Sequence, residues 1–233
     1  MLQAAQYEIP LVDHDGLSLV TNGKYKAPFN DELIKSTNYD QEGILQDILT
    51  LYLGGSKSMD PTYSKGVFYK NGKVPQPKHK YDLCPQTEDT LQASAENLPF
   101  EDTSLNSIVF DPPFVVGHAK NKPTGIIGER FGSFEQVIHL WNWYILCLQE
   151  FHRILKPKGK LVFKCQDTVS NGKQWWSHIK IVNEAERIGF ICKDQFILLA
   201  HNRVTGHNHR NQKHARKFHS YFLVLEKKNE RNK

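Results

Sequence analysis

The chain has 233 residues, a net charge of +5 and 11 histidines. Hydrophobic residues make up 39% and charged residues 24%, which is typical of a packed globular domain and excludes a disordered or fibrous chain. The apolar runs are far shorter than the roughly 20 residues that cross a bilayer, and no apolar segment follows a basic start. We therefore expect neither a membrane span nor a secretory signal. The net positive charge permits a polyanionic partner without establishing one.

The four cysteines are widely spaced and contain no CxxC pair, so neither a zinc knuckle nor a disulfide framework is indicated. No metal-ligand spacing is visible elsewhere, and we expect no metal. A reducing, cytoplasmic location is the simplest expectation.

Residues 1–36 are irregular and punctuated by proline and glycine, which predicts an N-terminal extension. A helix is predicted from Thr37 to Leu53, with Asn38 or Asp40 as its cap and Gly54-Gly55 at its end. Its apolar residues recur at helical spacing, namely Ile44, Leu45, Ile48, Leu51 and Tyr52. A short strand is predicted at 80–83 and a buried strand at 107–110.

The second half of the chain alternates helices with apolar strands. The predicted elements are a helix at 134–155 that Pro157 and Gly159 stop, a strand at 160–165, a helix at 176–189, strands at 191–200 and 221–226, and a tail at 229–233. This alternation predicts one α/β domain over residues 37–228 with a mostly parallel sheet. The last two strands are joined without a helix, so they should form an antiparallel hairpin.

Polar side chains follow the carboxyl ends of three predicted strands. Asp111 comes directly after the strand at 107–110, and Gln166 and Asp167 follow the strand at 160–165. The basic segment 201–220 follows the strand at 191–200. Because ligands of open α/β sheets bind outside the carboxyl ends of parallel strands, these features should share one rim.

The turn Asp111-Pro112-Pro113-Phe114 (DPPF) carries the most specific chemistry. Its two prolines fix φ and remove two donors, which stiffens the turn and leaves the Asp111 and Pro112 carbonyls free to accept. A carboxylate, rigid acceptors and an aromatic ring suit the exocyclic amino group of a planar base. The structural alternative is a stiff strand-to-loop turn in which the aspartate acts as a cap.

With its surroundings this turn resembles the amino-methyltransferases that use S-adenosylmethionine, in particular small DNA methylases of bacteria and phages. The matching runs are AENLPFED followed by SIVFDPPF, then HRILKPKGKLVF, and a degenerate glycine-rich loop, DPTYSKGVFY. The resemblance covers roughly residues 55–226. It implies a Rossmann-like class I methyltransferase fold with a seven-stranded sheet and a C-terminal antiparallel hairpin.

The resemblance also implies S-adenosylmethionine as cofactor and catalytic roles for Asp111, Pro112, Pro113 and Phe114. Two departures stand out, because only one glycine remains in the core of the loop and a serine replaces the aspartate common in the adenine-contact loop. The cofactor-binding residues implied are Asp60, Thr62, Tyr63, Gly66, Asp82, Ser94 and Ala95.

The segment 201–220 holds five basic residues and five histidines. It reads either as a solvated loop or as a phosphate-contacting loop, and the flanking arginines and lysines favour phosphate contact over metal ligation. Trp175 is a candidate for stacking on bases, whereas Trp176, which opens a predicted helix, is expected to pack in the core. The nucleic-acid-binding candidates are Lys164, Gln166, Arg203, Arg210, Lys213, Arg216 and Lys217.

The sequence therefore predicts methyl transfer to an exocyclic amine, N6 of adenine in DNA, after the base leaves the helix stack. An RNA base methyltransferase and a catalytically silent nucleic-acid-binding subunit remain alternatives. The chain has little room for a target-recognition domain, so recognition is expected to come from residues 115–133, the basic segment and residues 1–35. We expect either relaxed or short-site specificity, or a homodimer or partner that supplies the rest. Residues 115–133 form either a lid or an ordinary surface loop.

Overall fold

The computed structural model describes residues 33–55, 58–114, 116, 134–201 and 213–229. Its elements are β1 (Thr37–Asn38), α1 (Gln41–Ile48), β2 (Met59–Asp60), β3 (His79–Asp82), β4 (Leu91–Gln92), β5 (Leu105–Phe110), α2 (Val137–Ile154), β6 (Leu155–Cys165), β7 (Thr168–Ser170), β8 (Lys173–Trp175), α3 (Ser177–Ile188), β9 (Phe190–Leu199) and β10 (His219–Lys227).

The main sheet has the strand order β4-β3-β2-β5-β6-β10-β9-β1. Neighbours from β4 to β6 run parallel, and β10 is antiparallel to both β6 and β9. The predicted α/β class and the antiparallel hairpin are therefore confirmed. Strands β7 and β8 form a separate two-stranded ribbon beside this sheet.

Among the described residues the sheet has eight strands, so the seven-stranded prediction is wrong. The additional strand is β1, which pairs in parallel with the outer edge of β9. The sequence pattern had placed Thr37 and Asn38 in a helix, but the helix begins only at Gln41, because the Asp40 side chain accepts a hydrogen bond from the backbone N–H of Glu42 and caps it. The helix continues as a π-helical turn to Leu53.

Helix α2 ends at Ile154, and β6 begins at the next residue. Pro157 and Gly159, expected to stop the helix, lie inside the strand instead. A residue before a proline is pushed towards extended backbone, so the chain leaves the helix before the proline is reached. Leu155 is already extended and pairs with Leu105 of β5.

Aromatic packing holds the carboxyl end of β5 in place. Phe110, the last residue of β5, is fully buried, and its ring meets Phe151 of α2 at 4.8 Å and Phe163 of β6 at 4.9 Å, both edge to face. Tyr144 of α2 meets Phe163 in the same way at 5.2 Å. The DPPF turn therefore starts from a tightly packed part of the core.

Candidate active-site cleft

A cleft of about 250 Å³ opens at the carboxyl ends of β2 and β5. It is lined by residues from α1, the loop after β2, the DPPF turn and β6, namely Gln41, Asp60, Thr62, Tyr63, Ser64, Val67, Phe68, Tyr69, Asp111 and Lys164. Five of the predicted site residues thus line one cleft. They are Asp60, Thr62 and Tyr63 of the loop, Asp111 of the turn, and Lys164.

Asp111 connects the DPPF turn to the loop after β2. Its backbone N–H donates to the Thr62 hydroxyl oxygen at 2.9 Å, and its carboxylate oxygens lie 3.1 and 3.2 Å from the Lys164 ammonium. The Asp111 side chain is 30% exposed, so the carboxylate is held firmly and still reaches the cleft.

A hydrogen bond from helix α2 holds the Pro113 carbonyl of the turn. The Tyr144 hydroxyl donates to the Pro113 carbonyl at 2.7 Å, and burial raises the pKa of Tyr144 well above its usual value, so this group stays a donor. Within the described residues nothing donates to the Pro112 carbonyl, and Pro112 is buried. Phe114 is half-buried.

Asp60 is a buried carboxyl at the end of β2. It accepts hydrogen bonds from the Thr62 backbone at 2.9 Å and from the Tyr69 hydroxyl at 2.6 Å. Burial raises its pKa to about 7. The negative charge of Asp111 also raises this pKa, whereas the hydrogen bonds lower it. Asp60 is therefore a carboxyl that titrates near neutral pH beside the candidate catalytic aspartate.

Gly66 is required by the shape of its loop. Its φ is +63°, and a Cβ atom there would lie 2.5 Å from the Tyr63 hydroxyl oxygen. That hydroxyl is itself fixed by a 2.6 Å hydrogen bond to Gln76. Gly66, the one glycine in the core of this loop, thus occupies a position where a larger residue does not fit.

Asp82 ends β3 and fastens two loops. One carboxylate oxygen accepts from the Cys84 backbone at 2.8 Å and the other from the Ser64 backbone at 2.9 Å. These bonds hold the loop after β2 against the loop after β3, so Asp82 has a structural function.

Ser94 and Ala95 follow β4, and a carboxylate that the sequence did not single out lies beside them. The Ser94 hydroxyl donates to Glu96 at 2.6 Å, and the Trp143 indole N–H donates to the same oxygen at 2.7 Å. Burial acts to raise the pKa of Glu96, but these two bonds outweigh it and the net pKa is lowered. A carboxylate therefore lies two residues after position 94 and is held by hydrogen bonds from Ser94 and Trp143.

Lys164 and Gln166 are both buried, which limits what they can bind. The Lys164 ammonium donates to the Gln41 side-chain oxygen at 2.7 Å, so Lys164 reaches a ligand only from inside the cleft and not at an outer phosphate. The Gln166 amide donates to the His219 carbonyl at 2.6 Å. The neighbouring buried Asp167 pairs with His178 at 2.8 Å.

The described C-terminal part of the basic segment, residues 213–220, lies at the same edge of the sheet as Asp111. The first residue of β10, His219, pairs with Leu199 at the end of β9, and Tyr221 pairs with Cys165 at the end of β6. The segment before His219 must therefore lie at these carboxyl ends, where Lys213 and Arg216 are exposed. Arg203, Arg210 and nearly all of the candidate lid at 115–133 lie outside the described residues.

Trp176 does not pack in the core, contrary to expectation. It is 51% exposed just before α3, and the Lys217 ammonium lies 5.7 Å from its ring centre. Trp175 is the more buried of the pair and meets Trp141 edge to face at 5.1 Å. The two tryptophans thus reverse their predicted positions. The short β7–β8 ribbon ends at Trp175, and the side chain of the next residue, Trp176, is directed outwards.

Within the described ranges, no three histidine, cysteine or acidic side chains converge as a metal site. In the same part of the chain, the helices are too short or too polar to cross a membrane.

No family model and no curated protein matches the chain. Among solved structures, a presumed methyltransferase from Bacillus halodurans C-125 is 14% identical with a TM-score of 0.52, over 82% of this chain and 100% of the other. A presumed DNA modification methylase from Thermus thermophilus, complexed with S-adenosyl-L-methionine, is 16% identical with a TM-score of 0.42, over 65% of this chain and 54% of the other. TrmN from Thermus thermophilus is 15% identical with a TM-score of 0.44, over 80% of this chain and 48% of the other.

This chain thus matches only about half the length of the two Thermus proteins. The Bacillus halodurans likeness and the strand order together show the Rossmann-like α/β fold found in methyltransferases.

Proposed function

We propose that this protein is an S-adenosylmethionine-dependent methyltransferase that acts on the exocyclic amino group of a nucleobase, N6 of adenine in DNA. The observation that carries the proposal is the position of Asp111. It is a partly exposed carboxylate on a rigid turn, and it faces the loop from Asp60 to Gly66 across one cleft.

The residues around the cleft fit the proposed cofactor. The loop after β2 excludes a side chain at Gly66, and buried carboxyl groups end both β2 and β3, at Asp60 and Asp82. Acidic groups at the carboxyl ends of adjacent parallel strands suit a ligand with cationic and hydroxyl groups. Ser94 and Ala95 would lie at its adenine, and Thr62 and Tyr63 at its amino-acid part. When bound, S-adenosylmethionine supplies an electrophilic methyl group on a sulfonium sulfur.

The chain's own residues would orient the base. The Asp111 carboxylate and the Pro112 carbonyl accept the two N–H bonds of the amine, which aims the nitrogen lone pair into the cleft, and Phe114 stacks on the ring. As the amine is methylated it loses one proton, which passes to Asp111 or to water. Most of the rate enhancement would come from positioning and from fixed charge.

The cationic rim supports a nucleic-acid substrate. Lys213, Arg216 and Lys217 lie at the carboxyl edge of the sheet, and the Lys217 ammonium lies 5.7 Å from the centre of the exposed Trp176 ring, a combination that suits phosphates and an unstacked base. Arg203 and Arg210 belong to the same proposed surface. A second copy of the chain or a partner would add contacts that select a target sequence.

The test is transfer of a tritiated methyl group from S-adenosylmethionine to DNA and to RNA, followed by nucleoside analysis. We expect N6-methyladenine in DNA, and at least about a hundredfold loss of rate in Asp111→Asn with cofactor affinity retained. Full activity of that variant contradicts the assigned role. Transfer to RNA alone selects the RNA alternative, and failure of the folded protein to bind S-adenosylmethionine in calorimetry selects the silent subunit.

A further inference from the structure

Among the described residues, one interaction orients the Gln41 side chain, at the start of α1. Its oxygen accepts from the Lys164 ammonium at 2.7 Å. An ammonium group can only donate, so the amide oxygen must face Lys164 and the amide nitrogen must point elsewhere. Gln41 lines the cleft, and its amide nitrogen donates to nothing in the described part of the chain. The cleft therefore contains a hydrogen-bond donor with no acceptor among the described residues.

Lys164 places this donor next to the candidate catalytic acceptor. The same ammonium nitrogen lies 3.1 Å from Asp111 and 2.7 Å from Gln41. The lysine is only 10% exposed, and the rings of Phe68 and Phe222 lie 5.0 and 5.6 Å from it, so it has little freedom to move. One buried cation thus binds both the Asp111 carboxylate and the side-chain amide of Gln41.

We infer that the Gln41 amide is a specificity-determining donor to the ring nitrogen next to the methylated amine. This inference rests on the proposed function and deepens it. Adenine presents N6–H beside the acceptor N1, and cytosine presents N4–H beside the acceptor N3, so both match an acceptor–donor pair. Guanine presents N2–H beside N1–H, a donor that would oppose the Gln41 amide, and its other neighbour, the acceptor N3, lies on the edge that carries the sugar.

The experiment is a double-mutant cycle between Gln41 and the base. Synthetic duplexes with a randomised central stretch carry either adenine or 1-deazaadenine, in which N1 is replaced by C–H. Single-turnover methyl transfer is measured for the wild type, Gln41→Ala and Gln41→Glu. The glutamate variant keeps an acceptor for Lys164 but has no donor. Gln46→Ala, at an exposed position of the same helix, is the matched control.

We expect loss of N1 to slow the wild type and Gln46→Ala by roughly three- to tenfold more than it slows either Gln41 variant. A role of Gln41 in folding alone would not produce this coupling, because it would affect both substrates equally. Equal slowing in all four proteins overturns the inference and leaves the proposed function standing. If the wild type methylates no adenine in these duplexes, the proposed function fails and the inference fails with it.

Discussion

At the scale of single residues, the cleft depends on side chains that are fixed by a few direct contacts. Asp111 is held by Lys164 on one side and by Thr62 on the other. Position 66 accepts only glycine, because Tyr63 fills the space that a side chain would need. Each of these positions is sensitive to a change of a few atoms.

Gly66→Ala should destabilise the protein and weaken cofactor binding, because the new Cβ atom would lie 2.5 Å from the Tyr63 hydroxyl and φ is +63°. Gly72→Ala is the matched control, with φ +73° and nothing within 4 Å. We expect a loss of about 1 kcal/mol in the free energy of unfolding from backbone strain in the control, and a clearly larger loss at Gly66. Urea denaturation and calorimetry with S-adenosylmethionine measure both effects. Equal losses would show that the Tyr63 contact relaxes easily.

At the scale of elements, a chain of hydrogen bonds joins the ends of β2 and β5. Asp60 accepts from Thr62, and the Thr62 hydroxyl accepts from the backbone of Asp111. Because Asp60 is buried and titrates near neutral pH, its protonation is coupled to folding of this corner of the sheet.

Asp60→Asn should change how stability depends on pH. The pKa of Asp60 is raised from 3.8 to about 7 in the folded protein. Between these values the unfolded chain releases the proton and the folded protein keeps it, so this group's contribution to stability is complete below about pH 4 and is lost as pH rises towards 7. We expect the free energy of unfolding of the wild type to fall more steeply over this range than that of Asp60→Asn. Parallel curves from urea denaturation would contradict the raised pKa.

At the scale of the whole molecule, the parallel strands bring the cleft and the cationic rim to one edge of the sheet. The opposite edge of the sheet, at the amino ends of the parallel strands, also carries lysines. They are exposed at positions 156, 158 and 228. Net charge alone would attract a polyanion to both edges, whereas a specific interface uses only one.

Replacing the three cations of the rim with glutamine should reduce the salt dependence of DNA binding, because fewer counterions are released. The slope of log affinity against log salt should fall by about 2. The rim variant is Lys213→Gln, Arg216→Gln and Lys217→Gln. The charge-matched control is Lys156→Gln, Lys158→Gln and Lys228→Gln, which should keep the wild-type slope. Fluorescence anisotropy at several salt concentrations gives the slopes, and equal reductions in both variants would show binding by net charge alone.

Much of the fold could be predicted because its signals are local. The apolar run that ends at Phe110 and the rigid prolines after it identify a buried strand and a stiff turn without knowledge of the rest of the chain. Strand β2 could not be predicted, since its two residues are too few to show a period. The sequence offered both Asn38 and Asp40 as caps of the first helix, and only the folded protein shows that Asp40 is the cap and that the helix begins at Gln41.

The order of helices and strands along the chain was sufficient to predict the edge of the sheet at which Asp111 and the basic segment lie, because strand direction follows from connectivity. Which polar groups meet at that edge became visible only in the folded protein. Gln41 and Lys164 are separated by 123 residues, and Thr62 and Asp111 by 49. No local pattern encodes such pairs, because they form only when packing of the core fixes the distance between strands.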